Sequence, residues 1–188
     1  MNMNMTVMLV IAGAVVAAAV LVWFLQRQRS LRLRERFGPE YERARAEIGD
    51  VRRTEAVLAA REKRVEKFHI RPLDPGEAVR FSEVWRHVQN LFVDDPKGAI
   101  AEADHLVNEV MTARGYPMAD FDQRTADVSV DHPAVVEHYR AARAIAVRND
   151  GGQASTEDLR QAVIHYRALF EDLLEEKKSD MKPVHSGR

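Results

Sequence analysis

The sequence predicts an all-α protein: a single N-terminal transmembrane helix, a long polar connector helix and a small antiparallel bundle of about four helices. Three observations point there. Residues 1–26 carry no charged side chain. Downstream, apolar residues recur at the three-to-four spacing of one helix face. Helix-start signals punctuate that downstream part, and no segment shows the period-two alternation of a strand. The expected organisation is a short tail over 1–5, a membrane helix over 6–25, a basic juxtamembrane and stalk helix over 26–70, the bundle over 71–178 and a flexible tail over 179–188.

Twenty residues from Thr6 to Leu25 span about 30 Å at 1.5 Å per residue, the thickness of a bilayer's hydrocarbon core. An uncharged helix satisfies its backbone groups internally, so lipid accepts it. Trp23 and Phe24 fall at its C-terminal boundary, where aromatic rings favour the headgroup level. Arg27, Arg29, Arg32, Arg34 and Arg36 follow, opposed over the same stretch by Glu35. The positive-inside rule keeps such a cluster in the cytoplasm and sends the N-terminus across, giving an N-out/C-in protein of a bacterial inner membrane. The competing reading is a signal or anchor with an exported, periplasmic body. It wants a basic region before the apolar run and small residues after it, and the sequence offers neither.

The five arginines are expected to rest on anionic headgroups, each contributing about 1 kcal/mol near the surface. Nucleic acid is not an expected partner. Gly38-Pro39 then punctuates the chain, and residues 40–68 read as one long polar helix. Ala44, Val51, Leu58 and Val65 recur every seven residues, with Tyr41 and Ile48 in the companion position. Glu55 and Glu62 take that position further on, which makes a poor two-stranded coiled coil. Self-association through 40–68 is an option rather than a requirement.

In the bundle, Asp74-Pro75-Gly76-Glu77 places an acceptor at the N-cap, proline at the first helical position and glutamate at the third. Phe81, Trp85, Val88 and Phe92 form the stripe that follows. Asp95-Pro96 repeats the signal ahead of Ala99, Ala103, Leu106 and Val110, and Gly115 ends that helix. One turn is expected near residues 121–126. His132-Pro133 is expected to open a third helix with Val136, Tyr139 and Ile145 inward, closed by the loop at Asn149-Asp150-Gly151-Gly152. Ser155 or Thr156 caps a fourth, burying Leu159, Val163, Tyr166, Phe170 and Leu173 or Leu174. The last two helices share a six-residue echo, Val136-Glu137-His138-Tyr139-Arg140-Ala141 and Val163-Ile164-His165-Tyr166-Arg167-Ala168. It suggests two similar helices with tyrosine inward, or a paired His/Arg surface for an anion.

Charge divides the chain unevenly: residues 26–71 carry a net +6 and residues 72–188 a net −7. The absence of cysteine excludes disulfides, thiolate metal sites and a cysteine nucleophile. No phosphate-cradling glycine loop or nucleophile elbow occurs, so no catalytic residue and no cofactor is expected. Glu102-Ala103-Asp104-His105 has the Glu-x-x-His spacing of carboxylate-bridged metal bundles, which makes Glu102 and His105 weak metal candidates in a single copy. The stretch Asp127-Val128-Ser129-Val130-Asp131-His132-Pro133 reads as a polar loop capping the next helix, with its Asp and His as a further candidate site.

Arg71-Pro72-Leu73-Asp74, Trp85, Phe92-Val93-Asp94-Asp95-Pro96, Arg114-Gly115-Tyr116-Pro117, Val130-Asp131-His132-Pro133 and His138-Tyr139-Arg140 together resemble a family of bacterial membrane-anchored proteins. The resemblance covers most of the chain and implies a membrane helix followed by this helical domain. It implies no activity and no binding residue. The functional expectation is therefore a membrane-anchored scaffold that binds a protein partner. The alternative is a ligand or metal sensor built on histidines.

Overall fold

The structure, a computed structural model, describes residues 3–175, with side-chain surroundings from Ile11 onward. The expected tail over 179–188 lies outside the described residues. All regular structure among them is helical. The chain forms two compact units, Met1–Ala59 and Ala60–Arg188.

The first unit is dominated by α1, Met3–Phe37. It is long and apolar enough to cross a membrane. It also runs unbroken through the arginines, so the expected basic connector is the last three turns of the same helix. Its apolar side chains face outward all round: Val16 is 62% exposed and Trp23 59%. Farther along the same helix, Leu33 and Phe37 are buried while Leu31 remains exposed. The helix ends at Gly38, whose φ of +45° suits glycine alone, and Pro39 opens α2 (Pro39–Ile48).

The single helix expected over 40–68 is in fact two. Gly49, at φ +78°, ends α2 in the left-handed cap, and its amide donates to the Arg45 carbonyl. Asp50 then restarts the chain as α3 (Val51–Val65), its carboxylate accepting from the Arg53 amide at 2.7 Å. Tyr41, Ala44, Leu58 and Val65 of the heptad pattern are buried within the chain, whereas Val51 is exposed.

In the second unit, α4 (Pro75–Asp94) starts as expected, with a reciprocal cap between Asp74 and Glu77. Arg71 grips the Glu77 carboxylate with two bonds of 2.7 Å, holding that carboxyl down at about 2. Asp95 caps α5 (Pro96–Ala113), accepting from the Gly98 amide. Ser155 caps α8 (Thr156–Leu174) with Asp158 as its reciprocal partner. Helix α5 is central, packed against α4, α8 and α7. Its buried face is therefore wider than the expected stripe and adds Ile100, Val107 and Met111. It ends in a Schellman turn, the Tyr116 amide donating to Met111 and that of Gly115 to Thr112. Gly115 sits at φ +97°, and a Cβ there would stand 2.3 Å from the His69 carbonyl oxygen.

Between α5 and α7 the expectation of one turn followed by a loop fails. Residues Phe121–Asp131 form a helix, α6, capped by the Asp120 side chain. His132 closes α6 instead of opening α7, and α7 (Val136–Asp150) begins only after a turn over 133–135. Helix α6 was hard to foresee because the residues it buries are largely polar: Thr125, Asp127 and Ser129 lie alongside Val128 and Val130.

Candidate functional site

The five arginines read as membrane contacts, Arg27, Arg29, Arg32, Arg34 and Arg36, are all exposed along α1. At 100° per residue, Arg27 and Arg34 share one face while Arg29, Arg32 and Arg36 share the opposite one. The arginines thus encircle the helix where its apolar run ends. The Arg27 guanidinium lies 5.5 Å from the centre of the Trp23 ring, and Arg34 lies 5.1 Å from that of Tyr41.

Glu102 and His105 are both exposed on the outer face of α5. His105 Nε2 stands 3.4 Å from Glu109, an i,i+4 pair that stabilises a helix surface. Among the described residues, no group of three or more His, Asp or Glu side chains is placed to hold a metal ion. Among the described residues, no second carboxylate-histidine motif is brought to Glu102 and His105.

The stretch 127–133 makes structural contacts. Asp127 is 1% exposed, and its carboxylate accepts from Arg64 Nε at 3.0 Å and from Gln123 Nε2 at 2.8 Å. Arg61 adds a bond to the Ser129 hydroxyl at 3.3 Å. The last turns of α3 are therefore clasped to α6 by charge-assisted bonds on a buried carboxylate. His132 is buried, its Nδ1 paired with Asp172 on α8, while its Nε2 has no hydrogen-bond partner among the described residues. The Tyr116 hydroxyl donates to Asp131 at 2.9 Å, and burial together with that carboxylate pushes its ionisation upward. Arg114 donates to the Leu173 carbonyl, a cation on the last turn of α8, where the helix dipole favours it. These groups join the ends of α5, α6 and α8.

Sequence reasoning missed a second polar network, in the middle of the bundle. Asp104 and Asn108, one turn apart on α5, receive the two echo tyrosines. Tyr166 donates to Asp104 at 2.8 Å and Tyr139 to Asn108 at 3.3 Å. Arg143 pairs with the other Asp104 oxygen at 3.2 Å, and Arg124 bonds to Asn108. Burial pushes the Tyr139 hydroxyl up to about 12 and shifts that of Tyr166 upward too, so both stay protonated as donors. The signal was present in the repeated tyrosine, but its partners are 31 and 62 residues away.

The echo has a second consequence. Helices α7 and α8 form an antiparallel hairpin, and both tyrosines point at α5. The residue preceding each tyrosine, a third of a turn round, is then brought to the seam between α7 and α8. His138 and His165 meet there, half-buried, with Nδ1 to Nδ1 at 2.9 Å. Burial and the neighbouring His138 lower the pKa of His165. The arginines of the echo face elsewhere: Arg140 pairs with Glu137 at 2.5 Å and Arg167 with Glu171 at 2.7 Å. The histidines of the expected His/Arg surface come together, and its arginines do not join them.

Compared with protein-family models, curated proteins and solved structures, the chain returns no match. One further feature is an open depression of about 730 Å³ between α6 and α7. Asp120 and Asp122 line it opposite Arg140 and Arg143, with Phe121 and Val147 supplying apolar area.

Proposed function

We propose that the chain is a single-pass membrane-anchored helical module whose body, at the cytoplasmic face of a bacterial inner membrane, binds a protein partner. The observation that carries the anchor is the surface of α1. Ile11, Val15, Val20 and Phe24 are each at least half exposed, at 58%, 62%, 59% and 50%. Water does not tolerate an apolar surface that surrounds a helix for this length, whereas lipid does. The encircling arginines favour N-out/C-in orientation and contact with anionic headgroups.

The anchor also bears on the body. Helix α1 continues about twelve residues past the apolar run, or about 18 Å, before its first break. Tethering the body to the bilayer raises its local concentration there, so a modest surface suffices for binding. The depression between α6 and α7, with two carboxylates facing two guanidinium groups beside apolar area, supplies the mixed character of a protein-binding patch. A C-terminal alkaline phosphatase fusion, active only after export, tests the orientation. The fusion is expected to be inactive in intact cells, and strong activity would move the body and its partners to the other side.

A further inference from the structure

We propose that His138 and His165 form a two-imidazole binding site for one divalent transition-metal ion of the copper or nickel class. This goes beyond the scaffold reading and does not depend on the membrane anchor. The two Nδ1 atoms stand 2.9 Å apart. Two imidazole nitrogens on one metal, with bonds of about 2.0–2.1 Å, stand about 2.9 Å apart at a right angle and about 3.4 Å apart at the tetrahedral angle. The spacing brings both nitrogens within reach of one ion, and copper(II) and nickel(II) stand high in the affinity order of divalent metals for nitrogen ligands.

The site is built by its surroundings. The Tyr139 and Tyr166 hydroxyls, bonded to Asn108 and Asp104, set the rotation of α7 and α8 about their axes. The bond between Arg148 and Asp158, at 2.9 Å, ties the loop end of the same hairpin. Both imidazoles are half-exposed, so an aqueous ion reaches them. Ala141 and Ala168, one turn beyond each histidine, are small and only partly buried, which leaves the outer side of the pair open to water in the remaining metal positions.

The ring centres lie 5.1 Å apart, so the two nitrogens nearly face each other with one proton between them. A metal takes the place of that proton when each ring swings modestly about its side-chain bonds. The donor ring then carries its hydrogen on Nε2, so no proton is released to solvent near neutrality. A ligand imidazole must be neutral. With two protein ligands, affinity is expected in the micromolar range.

The test uses the full-length chain in detergent micelles, titrated with Ni²⁺ or Cu²⁺ alone. The expected result is one saturable ion per chain, a thermal midpoint raised by several degrees, and a Cu²⁺ electron paramagnetic resonance spectrum with coupling to two histidine nitrogens. His138→Gln and His165→Gln each lower affinity at least tenfold, while His105→Gln leaves it unchanged. Unaltered binding by the folded double variant overturns the proposal, as does the lack of saturable binding by the native chain. Should the double variant fail to fold, the native spectrum decides, and oxygen-only coordination overturns the site.

Discussion

Helices α1 and α5 are both rich in aliphatic residues, yet they meet opposite surroundings. In α5, Ile100, Val107 and Val110 are fully buried against neighbouring helices. In α1, Val15, Val16 and Val20 lie open, and none of the membrane-length segment is buried. Apolar content alone does not tell a core helix from a membrane helix. Breadth does: α5 carries Asp104, Asn108 and exposed Glu102 among its aliphatic residues, whereas the first 26 residues carry no charge on any face. One helix is completed by protein, and the other is long and apolar enough to be completed by lipid.

The same substitution in each helix therefore has different consequences. Val107→Asp puts an unpaired carboxylate in the centre of the bundle and is expected to cost about 4 kcal/mol or more, enough to unfold the body. Val16→Asp is expected to disfavour membrane insertion by about 3 kcal/mol while leaving the body's thermal midpoint unchanged. Circular dichroism melting and membrane fractionation of both variants separate the two outcomes. If Val16→Asp also melts the body, α1 is a core helix.

Glycines sharpen the contrast next. Gly115→Ala combines a left-handed φ of +97° with a 2.3 Å approach to the His69 carbonyl, and is expected to cost about 2–3 kcal/mol. Gly13→Ala in α1 meets nothing within 4 Å and is expected to be neutral in thermal melting. A smaller effect distinguishes two arginines. Arg64→Met strips a partner from the buried Asp127 carboxylate, and because Arg64 is itself 45% exposed the expected loss is only about 1–2 kcal/mol. Adding Asp127→Asn recovers most of it in a double-mutant cycle. Arg29→Met, just past the apolar run of α1, is expected to leave body stability untouched.

The smallest effect concerns pH. The His165 pKa lies below the ordinary 6.5, so below that pH the unfolded chain takes up more protons than the folded one. The contribution is complete above pH 6.5 and is lost as pH falls through the lowered folded value. His165→Gln is expected to flatten the corresponding part of the stability-pH curve, measured by chemical denaturation. An unchanged slope contradicts the assignment.

How much of this was legible depends on how local its causes are. Asp74 with Glu77, Asp95 with Gly98, and Ser155 with Asp158 satisfy amides three residues away, so α4, α5 and α8 could be placed from the sequence. Gly49-Asp50 was equally local, a C-terminal glycine followed by an N-cap, but a heptad pattern running across it masked the break. Helix α6 was illegible for a different reason. Asp127 and Ser129 sit in a buried face with help from Arg64 and Arg61, which reach them from more than sixty residues away. The echo motif was visible, but the meeting of His138 with His165 also requires the two tyrosines to find Asp104 and Asn108 on α5, which no spacing reveals.

Alkaline carbonate extraction of membranes from cells producing the full-length chain tests the lipid-facing role of α1 most directly. The protein is expected to stay in the pellet and to leave it only with detergent. Release into the supernatant would mean that some protein surface, not lipid, covers those exposed valines.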